Sequence, residues 1–294
     1  MTVTATGSEA SGAIPAQRRR PWREPSVLPG FGLGLGVTLA WLGAIVLIPL
    51  MALAIRPWEL GLAGVWRTLT EPRVLAALRL SFGVSALAAA LAAPLGLIIA
   101  WVLVRFEFPG RRLLDAIVDL PFALPTAVAG IALTALYAPT GPLGALAQTL
   151  GVKTAYSPVG IFLALLFIGL PFVVRQLQPV LQDLDQEVDE AARTLGASDA
   201  QRFLRVVLPA LTPALLGGVG LAFARAVGEY GSVIFIAGNL PMKTEIAPLL
   251  IVIKLEQYDY AGAAAIGLAM VAIAFGCLVA LSGVQTLFAA RGRA

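Results

Sequence analysis

The sequence predicts an all-α membrane protein with six transmembrane helices, and three observations lead to this prediction. Of the 294 residues, 59% are hydrophobic and only 13% are charged, with a mean hydropathy of +0.86. Ordinary soluble domains do not have this composition. Several stretches without charge each reach the ~17 to 25 residues that cross a bilayer as a helix. Lysines and arginines are distributed unevenly between the loops, as expected of a polytopic protein.

The charge-free stretches set the approximate limits of the helices. Together with the apolar residues beyond Arg225 and Glu229, they place the spans at about 31–55, 80–104, 120–138, 158–175, 210–236 and 261–289. The third stretch, residues 120–152, is too long for one span, and the Pro-Thr-Gly-Pro sequence at 139–142 is expected to end its helix. Pro121 and Pro125 remove backbone donors from the same helix and are expected to kink it.

The basic residues predict the orientation. With six spans both termini lie on one side, which carries 13 of the 21 lysines and arginines, whereas the other carries 7 and Arg225 lies within a span. By the positive-inside rule the termini and the loop after the fourth span are cytoplasmic. Anionic headgroups account for the net charge of +4, so no nucleic-acid partner is needed. Residues 1–24 are predicted to be a disordered cytoplasmic tail, and residues 25–294 a transmembrane domain.

The polar stretch between the fourth and fifth spans has the signals of two short helices. Gly196 is the residue type favoured just past a helix C-terminus, and Ser198 stands three residues before Gln201, the spacing of a capping box. Two short helices joined at Gly196 would form a compact projection. The small side chains of Ala191 and Ala192 would let another protein approach closely, which indicates a docking face. An ordinary amphipathic connector has the same spacing, and both interpretations remain open on spacing alone.

The order of residues in this stretch resembles the signature loop of binding-protein-dependent ABC importer permeases. The pattern is Glu-Ala-Ala, then Gly, an aliphatic residue and Leu-Pro, and it falls on Glu190, Ala191, Ala192, Gly196, Val206, Leu208 and Pro209. The resemblance implies a type I ABC importer permease fold in a bacterial inner membrane. It also implies that residues 183–209, called the coupling segment below, dock into a groove of a separate cytoplasmic ATPase.

Three further segments resemble the T-type permease of sulfate/thiosulfate importers. They are Asp119–Gly130, Pro171–Arg175 and Gly228–Asn239, within a resemblance that covers about residues 27 to 290. The resemblance implies transport of sulfate or thiosulfate, a heterodimer with a W-type permease, two ATPase subunits that bind ATP and Mg²⁺, and an extracytoplasmic sulfate-binding protein. Molybdate or tungstate permeases share many of these features and are the alternative within the class.

Residue types that the chain lacks also limit its chemistry. It has no histidine, its only cysteine is Cys277, and no lysine follows a glycine as a phosphate-binding loop would require. No catalytic residue, metal site or cofactor is therefore predicted on this chain, and it is not expected to be an enzyme. A self-sufficient secondary transporter is the rival from another class, although the chain has no detectable internal repeat.

Ionisable residues at membrane depth supply the candidate substrate pathway. Arg225 and Glu229 are predicted to lie one helical turn apart in the fifth span, with Ser232 just beyond. Arg225 could attract an anion that Glu229 orients, or the two could form a structural ion pair; the sequence favours neither. At the membrane edge, before the third span, the spacing of Arg111 and Asp115 predicts a surface ion pair.

Overall fold

Helices make up the regular structure of this chain in its computed structural model, which describes residues 30–184 and 192–291. No strand occurs in those residues. The helices are α1 Phe31–Leu42, α2 Ile48–Ile55, α3 Gly61–Thr70, α4 Pro72–Arg105, α5 Arg111–Val118, α6 Leu120–Ala123, α7 Thr126–Tyr137, α8 Pro142–Thr149, α9 Pro158–Asp183, α10 Asp199–Arg202, α11 Leu208–Val227, α12 Val233–Ile236, α13 Ala247–Glu256 and α14 Tyr260–Arg291. The predicted tail, residues 1–24, lies outside the described residues.

Short irregular helical segments join some of these helices. A π-helical segment, Gly43–Leu47, joins α1 to α2, and a 3₁₀ segment, Arg56–Leu60, joins α2 to α3. A second π-helical segment, Phe203–Val207, joins α10 to α11. Residues 192–194 are also helical.

Five helical stretches in the described residues are long and apolar enough to cross a membrane. They are Phe31–Thr70, Pro72–Arg105, Pro158–Asp183, Asp199–Val227 and Tyr260–Thr286. The pair α7 and α8, bent by 46°, makes a sixth if the two helices form one broken span. The all-α polytopic fold is therefore confirmed, with longer helices than the sequence predicted at several ends.

The third predicted span is broken where its second proline stands. Leu124 adopts an extended conformation, with ψ of 133°, between α6 and α7. Proline disfavours the helical region for the residue that precedes it, so Pro125 accounts for this break. The kink was predicted, and so was the end of the helix before residues 139–142, which the structure shows at Tyr137. A single helix over 120–138 was wrong.

The prediction also misplaced helix ends where a charge interrupts the apolar sequence. α4 begins at Pro72 and α9 continues to Asp183, because Arg73 and Arg175 are accommodated inside these helices by ion pairs. The fifth span was predicted to reach residue 236, but α11 ends at Val227 and a break at residues 228–232 separates it from α12. Apolar sequence alone could not reveal this break.

Helices α4, α9 and α11 share the main buried cluster of the unit that runs from Met51 onward; residues through Leu50 form a separate unit. The cluster includes Ala100, Val173 and Leu211, which are fully buried. At Gly96 an added Cβ would lie 2.6 Å from Cγ1 of Val173, so the glycine is required for α4 and α9 to pack this closely. This core holds the ends of α9 and α11 that flank the coupling segment.

Candidate functional site

The first half of the coupling segment ends in the turn that its glycine predicted. Gly196 has a φ of +81°, which favours glycine strongly. Its N–H donates to the carbonyl of Arg193 at 2.9 Å, and the N–H of Ala197 donates to the carbonyl of Ala192 at 3.1 Å. These two bonds form a Schellman motif, the arrangement that ends a helix with a left-handed glycine. The predicted helix end at Gly196 is confirmed.

The second half begins with the predicted capping box. The Ser198 hydroxyl accepts from the Gln201 N–H at 3.3 Å, and the Gln201 side chain accepts from the Ser198 N–H at 3.0 Å. The helix that starts here does not stop after a few residues. It passes through the π-helical segment into α11 without interruption, so Pro209 does not begin a new span. The expectation of two separate short helices was wrong in this respect.

The outer surface of the segment combines small and apolar residues. Gly196 and Pro209 are exposed, and Ala192 and Leu208 are half-buried. Glu190 and Ala191, the other predicted docking residues, lie outside the described residues. The sequence prediction missed two exposed leucines: Leu195 is 87% exposed and Leu204 is 60% exposed. A leucine beside the glycine of a polar loop was the available signal, since apolar side chains left in water commonly mark interaction surfaces.

The inner surface of the segment packs on the end of α4. Phe203 meets Trp101 edge to face, with ring centroids 5.9 Å apart. The Arg105 guanidinium lies 5.6 Å from the centroid of the Trp101 ring, within the range of a cation–π contact. Val207 is buried in the same cluster as α4 and α9. The coupling segment is therefore packed directly against the end of α4.

The candidate pathway pair forms, but on a different backbone from the one predicted. Nη1 of Arg225, in the last turn of α11, contacts Oε2 of Glu229, and Glu229 lies in the break that follows the helix. The other carboxylate oxygen of Glu229 accepts from the N–H of Ser232 at 2.9 Å and from its hydroxyl at 3.1 Å. Both oxygens of Glu229 are thus engaged within the protein.

Exposure distinguishes the three predicted pathway residues. The Arg225 side chain is 35% exposed, the Glu229 side chain is 2% exposed, and Ser232 is fully buried. Only Arg225 presents a substantial polar surface to the outside of this chain. Ser232 anchors Glu229 from within, and a contact of Ser232 with a transported anion stays a prediction.

Helix α7 packs tightly against the break. An added Cβ at Gly130 would lie 2.5 Å from the carbonyl oxygen of Ser232, and one at Gly231 would lie 2.2 Å from Oγ1 of Thr126. Two glycines thus let the backbones of α7 and the break meet with no space between them. The kinked third span and the break after the fifth span are consequently one packed unit.

Arg175 joins the start of the third span to α9. Its Nε and Nη2 donate to the two carboxylate oxygens of Asp119 at 2.8 and 2.6 Å, and its Nη1 donates to Asp115 at 2.7 Å. Gln178 also donates to Asp115, at 3.0 Å. The hydrogen bond with Gln178 and, after it, the contact with Arg175 lower the pKa of Asp115. The expected Arg111–Asp115 salt bridge does not form, because Arg175 and Gln178 bond to the carboxylate instead, but the charge of Arg111 still helps to lower the pKa of Asp115.

A second long-range pair was missed entirely. Nε and Nη2 of Arg73 donate to the two oxygens of Glu245 at 2.8 and 2.7 Å, and the Glu245 side chain is 1% exposed. Two residues along, the N–H of Ala247 donates to the buried hydroxyl of Ser81 at 2.8 Å. Both bonds fasten the start of α13 to α4. The partners are 172 residues apart, so no spacing rule could have paired them.

The described residues hold no group of three or more histidine, cysteine, aspartate or glutamate side chains placed to bind a metal ion. Of the three predicted pathway residues, only Arg225 offers an exposed charged side chain. A cationic side chain at this position can attract an anion.

Proteins with similar sequences are named as transport proteins. The chain is 44% identical over 265 residues, 90% of its own length and 96% of the relative's, to the sulfate transport system permease protein CysT of Salmonella typhimurium. It is 47% identical to the corresponding protein of Synechocystis sp., over 85% of this chain and 87% of that one.

Solved structures match the fold of this chain. A bacterial ABC transporter involved in the import of the acidic polysaccharide alginate matches with a TM-score of 0.71 at 15% identity, over 87% of this chain and 94% of that one. The family model described as "binding-protein-dependent transport system inner membrane component" matches residues 92–293. This chain is thus a multi-pass inner-membrane transport subunit rather than an enzyme, and it belongs to the family of binding-protein-dependent transport system inner membrane components.

Proposed function

We propose that the chain is the permease subunit that carries sulfate or thiosulfate across the membrane in an ATP-driven importer. The observation that carries the proposal is the identity of 44 to 47% with proteins named sulfate transport system permeases, over most of both chains. At this identity and coverage the pathway surfaces and the fold are expected to be shared. Molybdate or tungstate, also tetrahedral dianions, are the second candidate.

The proposed complex contains a W-type permease as heterodimer partner, two ATPase subunits and an extracytoplasmic sulfate-binding protein. ATP and Mg²⁺ bind to the ATPase subunits. One solved relative of the same fold is a complex with a periplasmic protein bound to alginate, and an arrangement of this kind supports the proposed receptor. Both termini and the coupling segment lie in the cytoplasm, on the side with 13 basic residues. Residues 25–294 form the permease domain and residues 1–24 the tail.

The proposed docking surface for the ATPase is the coupling segment. Its predicted docking residues are Glu190, Ala191, Ala192, Gly196, Leu208 and Pro209. The exposed side chains of Leu195 and Leu204 add apolar area beside them, and burial of such area in a groove would stabilise the contact. The packing of Phe203 on Trp101 supports transmission from this surface to α4.

The proposed pathway residue is Arg225, with Glu229 and Ser232 holding it in place. A guanidinium that is one-third exposed can attract an oxyanion and bond it through two nitrogens. Glu229 uses one oxygen for Arg225 and the other for Ser232. The carboxylate therefore orients the arginine and offsets part of its charge, which favours release of the anion after binding.

Uptake by the assembled complex in proteoliposomes tests the proposal. We expect ATP-dependent uptake of radiolabelled sulfate, with competition by unlabelled sulfate and thiosulfate at lower concentrations than by molybdate. Stronger competition by molybdate would replace sulfate with the second candidate. Uptake driven by an ion gradient with the single chain, in the absence of ATPase, would reject an ABC mechanism.

The docking proposal has its own test in Gly196→Trp. An L-residue at a φ of +81° strains the turn and places a large side chain on the docking face, so uptake should be abolished while membrane insertion is retained. Gly151→Trp is the matched control, because Gly151 has a φ of +73° and also has nothing within 4 Å of an added Cβ. Native uptake by Gly196→Trp, measured with radiolabelled sulfate, would reject docking through this face.

A further inference from the structure

A polar cavity and an apolar groove meet near the end of α4. The polar cavity, of about 390 Å³, is lined by Arg111, Arg112 and Arg175 together with Asp115 and two glutamines. The apolar groove, of about 360 Å³, is lined almost wholly by aliphatic and aromatic carbon. Leu103 borders both, so the two spaces are neighbours.

The charges of the polar cavity are not balanced. Arg175 bonds to both Asp115 and Asp119. Arg111 and Arg112 make no salt bridge with any carboxylate in the described part of the chain, and Glu107, which shares an open cavity with them, is exposed. Two guanidiniums at the start of α5 are thus available to a ligand with negative charge. Arg111 is half-buried and Arg112 exposed, which lets both reach an anion from water.

The groove beside these arginines is built from three helices. Ile98 and Val102 of α4, Leu114 and Ile117 of α5, and Leu170 of α9 line it. Ile98 is 59% exposed and Leu114 is 46% exposed, so the groove opens to the surface of the chain. α4 ends at Arg105 and the chain turns back at residues 106–110, so the arginines lie where a span leaves the apolar layer.

One class of occupant fits both spaces, and we propose that an anionic phospholipid binds here. Its phosphate pairs with Arg111 and Arg112 through charge-assisted hydrogen bonds, and an acyl chain lies along the groove from Leu103 towards Ile98. A free inorganic anion would leave the groove unfilled, and a zwitterionic lipid such as phosphatidylcholine would bring a choline cation close to two arginines and carries no net negative charge to offset them. Each methylene that enters the groove stabilises the complex further.

Binding of the lipid would affect the helices that meet around Arg175. The same cavity is lined by Gln178 and by Asp115, which tie α5 to α9, and α9 ends at Asp183, where the coupling segment begins. A lipid in this site therefore holds together helices adjacent to the docking surface. The lipid proposal rests on these contacts and not on the identity of the transported anion.

Native mass spectrometry of the delipidated complex tests the site. The probes are phosphatidylglycerol, phosphatidylcholine with the same acyl chains, and inorganic phosphate. We expect phosphatidylglycerol to bind at least about tenfold more tightly than phosphatidylcholine, and inorganic phosphate not to displace it. Equal binding of the two lipids, or displacement by phosphate at millimolar concentration, would overturn the proposal in favour of a neutral-lipid or a free-anion site.

Variants assign the binding to these residues. Arg111→Gln/Arg112→Gln should weaken phosphatidylglycerol binding about thirtyfold, since each arginine near a membrane surface contributes roughly fivefold. Arg56→Gln/Arg67→Gln removes the same charge from exposed positions elsewhere and should leave this binding unchanged. Unchanged binding in the Arg111/Arg112 variant, as expected if another subunit covers the cavity, would overturn the proposal.

The groove has a separate variant that leaves all charges in place. Ile98→Trp puts a larger side chain into the groove at an exposed position, where folding tolerates it. It should weaken phosphatidylglycerol binding by about fourfold for each methylene displaced. Binding identical to that of the native complex would exclude the acyl chain from the groove and overturn the lipid assignment.

Discussion

Two ion pairs of this protein have almost the same burial and different geometry. In the pair of Arg73 and Glu245 the side chains are 36% and 1% exposed, and in the pair of Arg225 and Glu229 they are 35% and 2% exposed. Arg73 donates through two nitrogens to both oxygens of its partner. Arg225 contacts its partner through Nη1 and Oε2. The two pairs are therefore equally buried, but Arg73 binds its partner through two nitrogens and Arg225 through one.

This difference indicates which of the two arginines can still bind a ligand. Glu245 fills the fork of Arg73, and the pair fastens the start of α13 to α4. Glu229 divides its oxygens between Arg225 and Ser232, which leaves most of the Arg225 guanidinium for another partner. We therefore expect the first pair to be architectural and the second to act on the transported anion.

The largest effect is expected when both members of a pair are neutralised. Arg225→Gln/Glu229→Gln removes the buried charge and keeps an acceptor for Ser232, so the complex should assemble, while sulfate uptake should fall at least about tenfold, the loss of one charge-assisted hydrogen bond. The matched variant Arg73→Gln/Glu245→Gln should keep its uptake per assembled complex. Radiolabelled sulfate uptake, normalised to complex yield, measures both. Full uptake by the Arg225→Gln/Glu229→Gln variant would show that this pair has only a structural role.

An intermediate effect is expected when one residue of the Arg73–Glu245 pair is replaced. Arg73→Gln leaves the Glu245 carboxylate buried without its counter-charge, which costs roughly 3 to 5 kcal/mol in comparable cases. Complex yield and thermal unfolding in detergent should both fall, and the double variant should recover most of the loss. Arg56→Gln is the control, since its pair with Glu59 is exposed on both sides and should change stability by about 1 kcal/mol or less. Equal losses for the two single variants would contradict the comparison.

The smallest effect is expected at a partly exposed pair with a known direction of pKa shift. The hydrogen bond from Lys254 and, after it, the N–H of Gly262 lower the pKa of Asp259 below its ordinary value of 3.8. A depressed carboxyl pKa stabilises the fold above the unfolded-state pKa, and the stabilisation is lost as pH falls through the folded-state pKa. Asp259→Asn should therefore lower the melting temperature slightly at pH 7 and have no effect near pH 2.

Measurement of the melting temperature of both proteins at these two pH values checks the prediction. Lys254 and Asp259 are partly exposed, so the difference at pH 7 should correspond to about 1 kcal/mol or less. A difference that grows as pH falls would have the wrong sign for this pair.

Local features of the fold were predictable because their signals are local. The turn at Gly196, the cap at Ser198 and the kink at Pro125 depend on a few neighbouring residues each. The contact of Arg225 with Glu229 also followed from a spacing of four residues. Apolar composition was sufficient to find the five long spans, since a bilayer imposes a minimum helix length, and the predicted sixth corresponds to the bent pair α7 and α8.

Long-range features were not predictable from one sequence. Nothing local to Arg73 or Arg175 indicates which carboxylates they meet, and treating a charge as the end of a span shortened both helices. The end of α11 at Val227 was missed because residues 228–232 were included in one span together with the apolar residues 233–236 that follow them. The break depends on α7, whose Gly130 packs against Ser232 about a hundred residues away in sequence.

The uninterrupted helix from Asp199 to Val227 has a mechanical consequence. Its 29 residues correspond to a rod of about 43 Å at ~1.5 Å per residue. The proposed docking surface is at one end and Arg225 is in the last turn at the other. A tilt of roughly 5° about one end would displace the other by about 4 Å, comparable to the diameter of a small oxyanion. The π-helical segment and Pro213 set how much of that tilt is absorbed on the way, since both are points where a helix bends.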